Sequence, residues 1–497
     1  MGILSFLKPK KEDVPVYDLS AGSDGLTQEL MANYNKHRPL GPQTLICGAP
    51  SKNMYFGHSG YVTTCCYNRQ HLLGTYPQKS ISEIWFGEEA EKLRNFIKQN
   101  NLAHGCEGCL SQILSENFDA TKAKQYDYAR FNENKYPSVM EFELENTCNL
   151  ECVMCSGNFS SLIRANREKR PPLVSNYDAD FISQLEEFIP YLEEVKFYGG
   201  EPFLIEIYYQ IIELIIKLNP SVRISIQTNA TILNNRVKTI LSKANVHLNL
   251  SIDSLEKENY ESIRVNAKFE RVMENLEYFY QYCKEKKTFF GISVCALSRN
   301  WHELPEFVRF CNRLNVPVYF HTVFFPASEA IHSMEQDKLK VVVSKLESEL
   351  ETLPEENMLQ RKNKTHLADL IKHTGIWQQK GHVEPSFVIE WNEQIQRLRT
   401  IDDLIDLISG STLNPQEGTS MYSTEQVNEV LEKLKALKMR MPEDFDYKPI
   451  FENIKVYSKH DPIIREIISH DYIGLLIKDI NRQTIEEMVD DLNKSVS

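Results

Sequence analysis

From about Pro137 to Phe325 the apolar positions keep changing period. Runs alternating with period two are SVMEFELEN, EEVKFYGG, RISIQTNA, VHLNLSID, FFGISVCAL and VPVYFHTVF. Between them, apolar residues return every three or four positions. The first kind of run predicts strands and the second amphipathic helices. In DADFISQLEEFIPYLEEV, Phe181, Leu185, Phe188 and Leu192 mark one helical face behind an aspartate cap. Strand then helix, repeated, implies parallel strands with right-handed crossovers. The expected fold is α/β, a doubly wound sheet or a partial (β/α)6 barrel of TIM type.

The two strand faces differ in chemistry. One carries Phe142, Leu144, Val195, Phe197, Ile224, Ile226, Leu248, Leu250, Ile252, Ile292 and Val294, and should meet the helices. The other carries Glu143, Glu145, Lys196, Tyr198, Ser225, Gln227, Asn229, Asn249, Ser251, Asp253, Ser293, Cys295 and His321. A closed barrel normally fills its interior with Val, Ile and Leu. Burying this many polar groups without partners is costly, so the second face is expected to line a cavity for a polar ligand.

Four segments follow: a tail over 1–41, a compact Cys-containing unit over 42–125, the alternating core over 126–326, and a mainly helical extension over 327–497. Helical patterns in the extension include QDKLKVVVSKLESELETL and STEQVNEVLEKLKALKMRM, with SGSTLNPQEGTS (409–420) as the expected linker. At 497 residues the chain exceeds one hydrophobic core. A net charge of −13 argues against a nucleic-acid partner. No apolar run is long enough to span a bilayer, and MGILSFLKPKKED does not read as a signal peptide. Eleven cysteines, eight at ligand-like spacings in the first third, favour metal in a reducing cytoplasm over a disulfide scaffold.

NTCNLECVMCSG places Cys148, Cys152 and Cys155 in the loop after the first strand of the core. Chemistry in parallel α/β folds collects at the carboxyl ends of strands. Three thiolates can hold three irons of a cubane and leave the fourth iron open to a ligand; a zinc site completed by a distant residue is the alternative. CNLECVMC resembles the C-x3-C-x2-C pattern of the radical S-adenosylmethionine (SAM) enzymes, with Met154 where an aromatic residue is more common. GGEP follows at Gly199, Gly200, Glu201 and Pro202, where that family holds the SAM amino group. TNA (Asn229), SID (Ser251 to Asp253) and Arg264 also look like the family. The resemblance implies ribose contacts from Ser251 or Asp253 and a SAM carboxylate contact from Arg264. A turn cap for Asn229 and a surface ion pair for Arg264 are the bland alternatives. The implied chemistry is one-electron cleavage of SAM to a 5′-deoxyadenosyl radical, which takes hydrogen from an unactivated carbon.

Upstream, Cys47, Gly60 and Cys65 form C-x12-G-x4-C, followed by C-x2-C at Cys106 and Cys109. This resembles the SPASM and twitch auxiliary-cluster domains of the same superfamily. Two departures stand out: the unit precedes the core, and cysteines for a second auxiliary cluster are missing. The resemblance implies one auxiliary [4Fe-4S] cluster on Cys47, Cys65, Cys106 and Cys109, with Cys66 an alternative to Cys65. A zinc ribbon on the same thiols competes.

Cys283 and Cys311 read as core residues on amphipathic helices. Cys295 lies on the polar face, where some radical enzymes use a thiol to return hydrogen to a substrate radical; a simple packing role is the alternative. The expectation is a cytoplasmic radical SAM enzyme acting on a peptide or small polar metabolite, served by a reductant such as flavodoxin or ferredoxin. RNA modification and a non-catalytic electron-transfer or scaffold role are the alternatives.

Overall fold

The computed structural model describes residues 25–442 and 445, apart from 69–70, 103, 119–120, 324–325, 381–399 and 412–423. Much of the expected tail and most of the expected linker therefore lie outside the described residues; 409–411 end a helix. Two compact units are present. The first holds residues up to Ile252 and Glu256–Ser293, the second Asp253–Leu255 and the chain from Val294 onward.

In the first unit, β4 (Val139–Glu143), β5 (Glu194–Phe197), β6 (Arg223–Thr228), β7 (Val246–Ser251) and β8 (Phe290–Ala296) pair in sequence order, all parallel. β8 runs into the second unit, where β9 (Val318–Thr322) comes next in the strand order. The α/β fold of the partial-barrel class is thus present, with strands at the expected places. Its apolar face is closed: Phe142, Val195, Phe197, Ile224, Ile226, Leu248, Leu250 and Ile292 are all buried. On the opposite face the polar side chains satisfy one another laterally, which removes most of the cost of covering them. Gln227 donates to Ser251 Oγ at 2.7 Å, and Asn249 donates to Gln227 at 2.8 Å and to Ser293 at 2.7 Å.

Asp178 caps the helix Ala179–Leu185 by accepting from Phe181 N–H at 3.0 Å, a contact worth about 1 kcal/mol. The predicted single long helix does not persist: after Leu185 the chain tightens into a 3-10 turn, Ile189–Tyr191, around Pro190. Proline removes the amide a continuing α-helix would need. Phe181, Leu185, Phe188 and Leu192 are buried nevertheless.

The Cys-containing unit contributes strands to the same sheet. β1 (Asn53–Gly57), β2 (Tyr61–Thr63) and β3 (Gly74–Thr75) form an antiparallel set, and β1 pairs in parallel with β4 from Asn53–Val139 to Gly57–Glu143. The order is β3-β2-β1-β4-β5-β6-β7-β8-β9. Arg38 and Asp127, both buried, form a bidentate pair at 2.8 and 2.5 Å that ties the helix Gln28–Lys36 to the segment closing this unit. Removing either partner would cost about 3–5 kcal/mol.

The second unit is mainly helical, with Leu304–Leu314, Gln336–Glu351, Met358–Lys380, Ile401–Ser411 and Thr424–Arg440. Asn363, fully buried, donates to Asn312 at 2.9 Å and accepts from Val318 N–H at 3.0 Å, fixing β9 against two helices. His321 is exposed rather than enclosed. Cys311 here, and Cys283 in the first unit, are buried. Among the described residues no helix is long and apolar enough to cross a membrane.

Candidate metal centres and cofactor site

Cys148, Cys152 and Cys155 occupy the loop leaving β4. The loop is held by its own polar residues. Cys148 N–H donates to Ser161 Oγ at 3.2 Å, Asn146 Nδ2 to the Gly157 carbonyl at 2.8 Å, and Ser160 Oγ to the Leu150 carbonyl at 2.7 Å. Arg167 adds a bond to the Cys152 carbonyl at 2.8 Å. The amides of Glu151 and Val153 donate to the carbonyls of Val265 and Ile263 at 3.0 and 2.9 Å, which brings Arg264 beside the cysteines. Burial pushes the Cys148 and Cys155 thiols up to about 12; neighbouring thiolates add to this and Arg264 opposes it. A cation would reverse that balance and let the thiols ionise.

The loop leaving β5 meets this one through glycine. Gly199 and Gly200 have φ of +76° and +47°, and a Cβ on Gly200 would stand 2.2 Å from the Thr147 carbonyl oxygen. Only glycine allows that approach without strain. Glu201 N–H donates to the same carbonyl at 2.8 Å. The Glu201 side chain, wholly buried, accepts from Thr228 Oγ1 and Asn229 N–H, each at 2.7 Å, and from Phe203 N–H at 3.2 Å. It thereby locks the loops after β5 and β6 together. Burial raises its carboxyl to about 7 despite those donors. Pro202, also buried, opens the short 3-10 helix Pro202–Leu204. Asn229 Nδ2 lies 3.1 Å from Asn149 Oδ1 and 4.0 Å from Cys148 Sγ. Cys148, Cys152, Cys155, Gly199 to Pro202, Asn229 and Arg264 therefore gather at the carboxyl ends of β4 to β6, with Ser251 ending β7. The supports Asn149, Ser160, Ser161 and Arg167 escaped the sequence reading; the polar run SGNFSS was the signal for the two serines.

Asp253 and Cys295 belong to the second unit and are joined. Asp253, wholly buried, accepts from Cys295 N–H at 2.7 Å, while Asn300 donates to the carbonyls of both at 2.6 and 2.9 Å.

In the Cys-containing unit, Cys47, Cys65, Cys106 and Cys109 line one cavity together with Thr64, Asn68, Lys122 and Tyr126. Cys66, half-buried, is not part of its wall. Gly60 turns the chain between β1 and β2 with φ of +82°, and a Cβ there would stand 2.0 Å from the Tyr76 carbonyl. Asn68 organises the far side: its N–H donates to Cys65 Sγ at 3.4 Å and its Nδ2 to Cys106 Sγ at 3.3 Å. Burial, reinforced by the neighbouring thiols, pushes Cys47 up to about 12 and Cys65 and Cys106 well above their ordinary range. Burial works against the charge of Lys122, but Cys66, Glu141 and Cys65 outweigh it and raise the ammonium to about 12.

A buried all-thiol set with an ammonium at its wall fits a sulfur-liganded metal group. Four thiols of this kind are the donor set of a zinc site or of an iron–sulfur cluster.

A model of the Radical SAM superfamily matches residues 143–311, and one of the SPASM iron-sulfur cluster-binding domain matches residues 47–110. An uncharacterized protein of Methanocaldococcus jannaschii is 26% identical over 174 residues, covering 34% of this chain and 56% of that protein. A GTP 3′,8-cyclase of Synechococcus elongatus is 25% identical over 183 residues, covering 36% and 53%. The chain spans about half the length of the curated relatives it matches. Among solved structures, anSMEcpe with bound AdoMet is similar at 18% identity and a TM-score of 0.34, over 43% of this chain and 60% of that one.

Proposed function

We propose that this chain, whose residues 143–311 are a radical SAM domain and whose residues 47–110 are a SPASM iron-sulfur domain, is an enzyme that reductively cleaves SAM and abstracts hydrogen from a peptide or small polar metabolite. Cys148, Cys152 and Cys155 would hold the SAM-binding [4Fe-4S] cluster. Cys47, Cys65, Cys106 and Cys109 would hold the auxiliary one, with Cys65 preferred to Cys66 because only Cys65 is on the cavity wall. The single observation that carries this is the glycine junction at Thr147, where the loop bearing the three thiols and the GGEP loop touch backbone to backbone.

Bound there, the cluster and SAM would supply one-electron cleavage and hydrogen abstraction from unactivated carbon. The chain's own residues would do the placing. Carbonyls freed by the open turn at Gly199–Gly200 would receive the SAM amino group, because the Glu201 carboxylate is already engaged by Thr228 and Asn229. Arg264 would receive the SAM carboxylate through charge-assisted hydrogen bonds. Ser251 would face the ribose. In the second unit Asp253 would orient the strand residue Cys295, whose thiol we assign to hydrogen return, its sulfur-centred radical then taking one electron from the protein reductant and a proton from solvent to restore the thiol. The polar face of β5 to β8 would bind a hydrogen-bonding substrate, the observation favouring a peptide or polar metabolite over an apolar one. A low-potential protein reductant would supply the electron.

Anaerobic reconstitution followed by dithionite and SAM tests the reading. Formation of 5′-deoxyadenosine, with about eight irons per chain, supports it. No 5′-deoxyadenosine from a protein with both clusters intact refutes it. Deuterium passing from a labelled peptide or metabolite into 5′-deoxyadenosine would identify the substrate.

A further inference from the structure

The cysteine cavity and the polar face of the sheet share one buried carboxylate. Glu141 lies on β4 with the parity of Glu143 and is wholly inaccessible. Its Oε1 accepts from the Tyr126 hydroxyl at 2.8 Å, Asn53 Nδ2 at 3.2 Å and Lys196 Nζ at 3.4 Å. Its Oε2 is buried with no hydrogen-bond partner among the described residues. Tyr126 is a wall residue of the cysteine cavity, and Asn53 also donates to the carbonyl of Thr64, another wall residue, at 2.8 Å. Two short bridges thus join Glu141 to that cavity. Lys196 is the cross-strand neighbour of Glu141. It stands on β5 with 15% of its side chain exposed, and its ammonium lies 5.5 Å from the centre of the Tyr126 ring.

A charge in such a place is screened weakly by solvent and salt. The potential of an iron–sulfur cluster follows nearby charge, hydrogen bonding and exposure. An anion beside a cluster disfavours the added electron, and a cation paired with that anion offsets the effect.

We propose that Glu141 is a positioning residue that sets the reduction potential of the auxiliary cluster, and that Lys196 tunes this setting from the polar face of the sheet. The inference rests on the auxiliary cluster assigned above to Cys47, Cys65, Cys106 and Cys109. Its sign is determined: losing Glu141 should make the cluster easier to reduce, and losing Lys196 alone should make it harder. An anionic substrate group engaging Lys196 would act like the second change, so occupancy of the substrate face would be felt at the auxiliary cluster.

The test is an EPR-monitored redox titration of the full chain, reconstituted with iron and sulfide. Cys148→Ala, Cys152→Ala and Cys155→Ala silence the other cluster. Glu141→Gln should raise the midpoint, Lys196→Met should lower it, and the double variant should return near the parent. A variant that merely loosens the fold would not give shifts of opposite sign that cancel. Tyr126→Phe, which removes one donor from the carboxylate and keeps the ring, should lower the midpoint and serves if Glu141→Gln does not fold. Unchanged midpoints, or shifts of one sign in both single variants, overturn the inference. Absence of iron and of an EPR signal in the parent background instead overturns the auxiliary-cluster reading, and this inference with it.

Discussion

The amide of Glu201 donates to the carbonyl of Thr147 at 2.8 Å, so one peptide links the GGEP loop to the residue preceding Cys148. The separation between the thiol set and the cofactor loop is therefore fixed by backbone, without help from a flexible side chain. Positions that maintain this junction should be sensitive out of proportion to their size.

Gly200→Ala should separate cluster assembly from SAM use. The new methyl would meet the Thr147 oxygen at 2.2 Å, and alanine at φ of +47° adds about 1 kcal/mol of strain. The loop must shift. Iron content should stay near that of the parent, while 5′-deoxyadenosine formation falls about tenfold or more. Parent-like rates would show that the junction does not place the cofactor.

Arg264→Gln should weaken SAM binding about tenfold to a hundredfold, the range expected for lost charge-assisted hydrogen bonds. Arg264 is buried beside the cysteine loop, so thermal stability must be followed in parallel. Equilibrium binding of SAM to the anaerobic holoprotein reads the effect. An unchanged Kd would leave Arg264 a purely structural role.

Asn68→Ala removes the amide that reaches Cys106 Sγ and the His104 carbonyl. Leaving those buried groups without a donor should cost about 1–3 kcal/mol. Iron retained by the auxiliary set should drop, with the other cluster unaffected. Full iron content at the parent Tm would remove Asn68 from the account.

His247 gives a pH prediction. Burial, with Arg223 adding to it, lowers its imidazole from 6.5 to about 4, and Nδ1 accepts from Phe289 N–H at 3.0 Å. The folded chain thus keeps the ring neutral while the unfolded chain protonates it. Stability from this residue is complete above pH 6.5 and is lost as pH falls towards 4. After allowance for solvent screening the loss is on the order of 2 kcal/mol. His247→Asn keeps an acceptor at that position without the titration. Denaturant melts should show a shallower decline between pH 6.5 and 4 than the parent's.

Cys295→Ala should still cleave SAM but leave turnover uncoupled, with 5′-deoxyadenosine exceeding product. Equal yields would dispose of the hydrogen-return role.

Much of this was legible in the sequence, for local reasons. Strand faces as unlike as Leu248, Leu250 and His247, Asn249 declare their orientation through period two alone. The cysteine triplet and GGEP are short motifs whose meaning survives without knowledge of tertiary contacts. The β1–β4 pairing was not legible, because NMYFG is too short to announce itself and finds its partner far along the chain. Glu141 shares the parity of Glu143, yet its importance comes from Tyr126 and Asn53, which only folding brings to it. Pro190 was visible; that it would end the helix early was a matter of how the following turn packs.

Because β1 occupies the open side of β4, the core cannot be cut out cleanly. A fragment beginning near residue 126 would present a bare ladder of amides and carbonyls, the kind of edge that recruits strands from other molecules. The amino-terminal hairpin, lying between Cys47 and Cys65, also covers that edge. On a ribosome it would emerge first and be waiting when its neighbour arrives.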